Sequence, residues 1–547
     1  MRPRPNRTEF APVTRSLVDL LERPYVQSVR TEFAPVTRSL VDLLGRPYVE
    51  SVCAARAFLS SERATDLLAT AEEPIEFYPP AMQTRLTGLL DRVGCAVTQP
   101  PARSAASGAA STSFCAATRI AAAPLSAFGY YRVGEDGRLY LITKSEHYHA
   151  PLGHAFPGYG LVDRARTLGI PNATHNNTRG HIARRLEEEL IRTANGVARE
   201  DGAGLAAVLA RRGDPGVLNR VLNLETGSLA VEAALKMILA RFYRMQPEMP
   251  EPRYQGRKPV LLVLGDDDGG LHANYHGTTV LTQMMRGMWP DLYARSAAAD
   301  AWEVVPIRPN RCEDLDRAFA AYERGNCKIA GFFHEIIMMN YGGRRLLPEF
   351  LEHAYALCRK HDVPTVVDEI QSCLWAPQLY LFREYGLHPT FVAIGKGFPG
   401  GEYPASRILF SAAMDGMPQF GALVTNGQEE LASLAYLVTM EWAQANAGVT
   451  AELGTYYQNR MGELAAEFPR IVEGLDGWRH MTSLRFTHLD QARVFAATLN
   501  ARGLDISVQT YKVNCPPVVL TKLPLTADRA VMDFVVHAVR DALKALS

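Results

Sequence analysis

The chain has 547 residues, 47% hydrophobic and 21% charged, with Lys+Arg and Asp+Glu balanced at 58 each. Such a length suggests more than one domain and buries a substantial core without metals or disulfides. The charge balance excludes an overall field favouring nucleic acid or an anionic membrane, and no apolar run is long enough to span a bilayer.

Eight scattered cysteines (Cys53, Cys95, Cys115, Cys312, Cys327, Cys358, Cys373, Cys515) contain no C-x-x-C pair. That argues against a disulfide framework or zinc finger and suits a reducing cytoplasm. The start, "MRPRPNRTEF", carries charges but no apolar core of a secretory signal. A cytoplasmic, multi-domain globular protein is expected, with neither nucleic-acid nor membrane partners.

In chain order, the first feature is a tandem duplication. "RTEFAPVTRSLVDLLERPYVQSV" (Arg7–Val29) is followed at once by "RTEFAPVTRSLVDLLGRPYVESV" (Arg30–Val52), differing at two of 23 positions. Two copies are too few for a solenoid. Each predicts a short amphipathic helix, "PVTRSLVDLL", with Leu17, Leu20 and Leu21 on one face and Pro24 beyond it. The simplest account is a duplication without catalytic meaning. Residues 100–128 turn Ala/Ser-rich and read as a flexible linker. "YYRVGEDGRLYLITKS" then predicts strand, turn, strand.

From about Gly180 helices alternate with short apolar strands: "IARRLEEELIRTA", "PVLLVLGD", "LPEFLEHAYALCRKH", "PTVVDE" and "FVAIGK". Strands this apolar are buried on both faces, so helices should cover a mostly parallel sheet. A long helix is predicted between Asn426 and Ala445. The tail, with the strand "HMTSLRFTHL" and the helix "RAVMDFVVHAVRDALKAL", reads as a smaller α+β domain. The expected organisation is an N-terminal extension with the duplication and linker (1–128), a first part of the small domain (129–180), a large domain (181–440) and the rest of the small domain (441–547).

Five stretches carry candidate chemistry. In "VPTVVDEIQS", Asp368 ends a buried strand, at the edge where open α/β sheets place ligands; a lone acid there is more often an ion-paired or capping one. Lys396 follows 28 residues later on the turn after the next strand. An acid and a lysine on successive strand ends suit pyridoxal phosphate, one holding a proton on the ring nitrogen, the other forming an imine. Gly227-Ser228 opens a helix predicted from about Leu229 to Tyr243, an anion site or a simple cap. In "LHANYHGTT", Tyr275 follows a strand and suits stacking on a planar ring or a buried hydroxyl. In "FFHEIIMMNYGG", Glu335 ends another apolar strand.

Together these stretches resemble the class III (ornithine/4-aminobutyrate-like) aminotransferases, of the fold-type I pyridoxal phosphate superfamily, from about Tyr130 to the C-terminus. The strongest parts are "VVDEIQS" and "HPTFVAIGKGFPGGEYPAS". The resemblance implies a large domain with a mostly parallel sheet, a smaller α+β domain, and a pyridoxal 5′-phosphate enzyme acting on the α-carbon of an amino acid or amine. It implies that Lys396 forms the Schiff base and shuttles the proton, and that Asp368 pairs with the pyridine nitrogen. Gln371 matches the residue near the phenolic oxygen, Gly227 and Ser228 the phosphate-binding pair, and Tyr275 the stacking aromatic. Glu335 joins this cofactor-binding set. Thr425 matches a threonine reaching the neighbouring subunit's phosphate, which implies a homodimer with shared sites.

Departures fall on the substrate side. Leu229 replaces the usual Glu, Ile336 the usual Pro, and "CLWAP" (Cys373–Pro377) a Gly-Arg-Thr-Gly stretch. The family's Pro-Pro-Leu recurs only in weakened form, at Pro516-Pro517 and Leu523-Pro524-Leu525. No arginine gripping the substrate carboxylate can be placed; Lys512, Lys522 and Arg407 are candidates, with surface charge the simpler role of each. Transamination is the expected outcome. Elimination or replacement, carbon–carbon bond formation, decarboxylation and racemisation share the same cofactor residues.

Other readings fit less well. Gly395, Gly397 and Gly400 satisfy G-x-G-x-x-G, but a dinucleotide fingerprint needs a helix right after Gly400 and an acid about 20 residues on. The sequence gives Glu402-Tyr403-Pro404, and Asp415 falls too early. Asp266–Asp268 match no calcium loop, and His147, His149 and His154 fall in the family's active-site entrance, so no metal is expected. A non-catalytic scaffold is opposed by intact Lys396 and Asp368.

Overall fold

The computed structural model describes residues 33–101, 108–112, 122–172, 175, 177–509 and 515–547. The first copy of the duplication and Lys512 lie outside the described residues.

From Phe33 onward the second copy is part of the folded body. Val36, Leu40, Leu43, Leu44 and Val49 are buried, Phe33 meets Tyr78 and Trp442 at ring distances of 5.4 and 5.6 Å, and Ala34 N–H donates to Asn446 Oδ1 at 2.8 Å. Its helix α1 (Leu40–Leu44) is shorter than "PVTRSLVDLL" predicts. Ser39 and Asp42 form a reciprocal capping box that starts the helix late, and Thr37–Arg38 instead pairs with Ile75–Glu76. Nor does proline stop a helix here. Pro47 sits in the first turn of α2 (Arg46–Ser60), where its missing N–H is no loss.

The segment read as a linker ends in a strand, β1 (Pro124–Phe128), which pairs antiparallel with β2 (Tyr131–Gly134) and so with β3 (Leu139–Leu141). Helix α3 (His181–Ala194) follows, burying Ile182, Leu186 and Leu190.

Seven strands make the central sheet: β4 (Arg220–Leu224), β5 (Lys258–Leu264), β6 (Glu303–Ile307), β7 (Cys327–His334), β8 (Thr365–Asp368), β9 (Phe391–Ile394) and β10 (Ser406–Phe410). Their order is β4-β10-β9-β8-β7-β5-β6. All run parallel except β10, which is antiparallel to both neighbours. Strands β8 and β9 are buried along their whole length, as expected where helices cover both faces. Helix α4 (Gly227–Leu239) packs on β9 and β10, and α5 (Glu430–Ala445) packs on α3.

A second antiparallel sheet, β11 (Val472–Trp478), β12 (Met481–Phe486) and β13 (Val518–Leu520), lies toward the C-terminus. It is followed by α6 (Arg529–Lys544), which buries Val531, Val535, Val536 and Val539. Leu141 N–H donates to Gly503 O, and Asp505 N–H to Leu141 O, so the early β-structure joins the C-terminal part. Among the described residues no helix is long and apolar enough to cross a membrane.

Candidate active site

Neighbouring parallel strands deliver three functional side chains to one carboxyl edge of the sheet. Asp368, the last residue of β8, is in register with Ala393 of β9, and Lys396 lies just beyond that strand. Val367 is in register with His334 of β7, and Glu335 follows. Asp368 is 8% exposed. Its Oδ1 accepts Ile370 N–H at 3.1 Å, and its Oδ2 lies 2.9 Å from His276 Nδ1. Glu335 is buried and accepts Met339 N–H at 3.3 Å.

Lys396 is half-buried and holds a φ of +30°, a left-handed conformation uncommon for a lysine. Burial pushes its ammonium down to about 8, against the attraction of Asp368 and Glu335. Its Nζ lies 5.4 Å from the centre of the Tyr148 ring.

The glycines around Lys396 answer to packing. A Cβ on Gly395 would stand 3.0 Å from Ser406 Cβ and 3.2 Å from Ile370 Cδ1; one on Gly400, at φ +66°, would stand 1.6 Å from Tyr159 Oη. Beyond Gly397 the chain continues in turns, and no helix opens after Gly400. The dinucleotide match therefore lacks the helix N-terminus that its chemistry needs.

That helix N-terminus belongs to α4. Thr226 caps it, its hydroxyl accepting Ser228 N–H at 3.2 Å. A Cβ on Gly227 would fall 2.8 Å from Ile370 Cδ1, so the helix start rests on the same side chain that faces Gly395. Ser228 Oγ accepts Thr278 N–H at 3.1 Å, which brings the 275–279 segment to this point. Tyr275 is half-exposed there, its ring centre 5.3 Å from the Arg286 guanidinium carbon. Gln371 is buried, and its Oε1 has no hydrogen-bond partner among the described residues. Thr425 is exposed. Near it, Gly427 packs on Asn223 and Leu224 at the end of β4, and Gln428 bonds Asn223 at 3.1 Å.

Residues 127–513 match the family described as aminotransferase class-III. The chain belongs to the class III aminotransferase family. It is 26% identical over 299 residues to an adenosylmethionine-8-amino-7-oxononanoate aminotransferase of Mycobacterium leprae, covering 52% of this chain and 62% of that one. It is 29% identical over 199 residues to an L-lysine-epsilon aminotransferase of Amycolatopsis lactamdurans, covering 34% and 42%. These matches span less than two thirds of either relative. An ornithine aminotransferase structure from Plasmodium yoelii superposes with a TM-score of 0.60 at 17% identity, over 79% of this chain and 95% of that one. The architecture is thus the fold-type I arrangement of this family.

Class III aminotransferases use pyridoxal 5′-phosphate, and the residues at this edge fit the group. A buried carboxylate suits a protonated ring nitrogen, a capped helix start suits a phosphate, and an amine and an unpartnered amide oxygen stand close by.

The surface-charge role expected of two residues is corrected. Neither Lys522 nor Arg407 is a surface charge: both are fully buried. Arg407 Nη1 donates to Leu224 O at 3.1 Å and Ser406 O at 2.8 Å, tying β10 to β4. Lys522 donates to the Gln371 carbonyl. His276, beside Asp368, was not singled out; the Tyr275-His276-Gly277 turn was its only sequence signal. Glu369, without a local sequence signal, accepts Leu381 N–H at 2.8 Å and Phe382 N–H at 2.6 Å at the start of the short helix Leu381–Glu384. The acidic run at Asp266 is a strand-end turn, its Oδ1 accepting Asp268 and Gly270 N–H. His154 pairs with Glu146 at 3.0 Å.

Proposed function

We propose that this chain is a pyridoxal phosphate-dependent aminotransferase acting on the amine-bearing carbon of an amino acid or amine. One observation carries the reading: Asp368 and Lys396 end adjacent parallel strands, and Ile370 between them touches both Gly395 and the glycine that opens α4. When bound, the cofactor supplies an electron sink for the pair released as a bond to that carbon breaks.

The chain's own residues would do the rest. Asp368 holds a proton at the ring nitrogen, with His276 fixing the carboxylate's orientation. Gly227 and Ser228 would hold the phosphate at the helix start, and Gln371 and Tyr275 would hold the ring. Lys396 would hold the cofactor, and its amine would move the proton at the substrate carbon. With an ammonium held near 8, its free amine is present at neutral pH in far greater fraction than an ordinary lysine's. Glu335 offsets the positive charge beside it.

The working unit in this reading is a cytoplasmic homodimer, with Thr425 reaching the neighbouring subunit's phosphate. Thr425 is exposed on its own chain. Val280, Met288 and Trp289 are exposed on the segment after Thr278, and Phe420 on the one leading to Thr425; such apolar surface suits an interface. The cysteines among the described residues are free, as a reducing compartment requires.

The test is one visible spectrum and one product assay. Incubation with pyridoxal phosphate should give a yellow protein whose band is lost in Lys396→Ala, and keto product should form beyond one equivalent per enzyme only when an amino acceptor is supplied. A protein that stays colourless counts against the cofactor; product without acceptor dependence counts against transamination.

A further inference from the structure

Lys522 is completely enclosed. An ammonium is costly to bury without compensation, and an apolar residue of similar size would avoid that cost. Its surroundings are built to hold it. The Nζ donates to the main-chain carbonyl of Gln371, and it lies 3.6 Å from the Trp375 ring centre and 4.4 Å from that of Tyr148. Burial pushes this side chain well below the ordinary lysine range, so a carbonyl and two aromatic faces enclose an amine that still donates one hydrogen bond. Its own backbone is pinned as well: Lys522 N–H donates to Thr143 O at 2.8 Å, and its carbonyl accepts Ser145 Oγ at 2.6 Å. Trp375 Nε1 donates to Leu523 O at 2.9 Å.

Every wall of this cage also reaches the site. A Cβ on Gly397 would meet Trp375 Cζ3 at 3.1 Å and Tyr148 O at 3.5 Å, and the Tyr148 ring stands 5.4 Å from Lys396 Nζ. Tyr148 ends a run of four left-handed residues, Ser145 to Tyr148, with φ from 48° to 76°. Such a run persists only where its surroundings enforce it, and the Ser145–Lys522 bond is one of the enforcing contacts. Gln371, whose carbonyl Lys522 holds, keeps a buried side-chain oxygen without a partner among the described residues.

We propose that Lys522 is a positioning residue: it fixes the Gln371 backbone so that the side-chain amide is aimed at the bound cofactor, and it holds Tyr148 against Lys396. This rests on the pyridoxal phosphate reading above. Lys522→Met keeps the cage filled and removes the donor. Compared with wild type, the variant should bind pyridoxal phosphate about tenfold more weakly, the scale of one hydrogen bond. Its visible band should move in the same direction as that of Gln371→Ala. In the double variant Lys522→Met/Gln371→Ala the two effects should not add, because they act through one group. A wild-type band and affinity in Lys522→Met, or full additivity in the double variant, overturns the proposal. Should Lys522→Met not fold, Lys522→Arg decides: it keeps a donor for the carbonyl, so a band near wild type supports the proposal and a band like that of Gln371→Ala overturns it. A wild-type chain that takes up no pyridoxal phosphate overturns the cofactor reading and this inference with it.

Discussion

Gly400→Ala separates packing from phosphate binding as the reason for the glycines around Lys396. The residue sits at φ +66°, and an added Cβ would fall 1.6 Å from Tyr159 Oη and 2.2 Å from its Cζ. Left-handed backbone costs an alanine about 1–2 kcal/mol. Tyr159, 5% exposed, must also shift, breaking its 2.8 Å hydrogen bond to Thr439; a lost buried hydrogen bond costs about 1–3 kcal/mol. The expected loss is therefore about 2–5 kcal/mol, read by urea unfolding. In a Tyr159→Ala background the clash is gone, and only the backbone part, about 1–2 kcal/mol, should remain. Equal losses in both backgrounds would refute the steric account. Unchanged stability with weakened cofactor binding would restore the phosphate-cradle account of this loop.

Lys396 should titrate with a midpoint of about 8 in cofactor-free protein, measured as its labelling by a trace amine reagent at a series of pH values. Labelling is low below that pH, where the ammonium dominates, and rises through it. Asp368→Asn removes an attraction that favours the ammonium, so the midpoint should fall; a rise would contradict the arrangement described. Glu369→Gln leaves one of the Leu381 and Phe382 N–H donors facing another donor, and should cost about 1–3 kcal/mol in urea unfolding. Gly45→Ala tests strain alone, because a Cβ there meets nothing within 4 Å although φ is +84°. With ψ at 138°, outside the left-handed helical region, about 1–3 kcal/mol is expected, and no loss would show that the turn relaxes freely.

The local pattern made some of the site legible and left the rest hidden. Asp368 and Lys396 could be read as partners because parallel strands place their ends side by side, so sequence position translates directly into proximity. The Gly-Ser start of α4 was visible for a similar reason, since helix starts carry a local signature. His276 was not legible, since its role depends on a contact across 92 positions with Asp368. Lys522 and Arg407 read as surface charges because charged residues usually are; their burial depends on carbonyls and rings from Gln371, Trp375, Leu224 and Tyr436. The N-terminal helix was misjudged locally, where a capping box at Ser39 outweighed the amphipathic pattern before it.

The duplication ends at Val52, inside α2, and the next residue, Cys53, is 1% exposed. Both copies carry the same leucines, so side-chain complementarity alone barely distinguishes them. Connectivity does: only the copy that runs straight into Cys53 can complete the helix, whereas Val29 is followed by a return to "RTEFAP". A chain shortened by residues 7–29 should keep every contact described, and its unfolding midpoint should match that of the full chain.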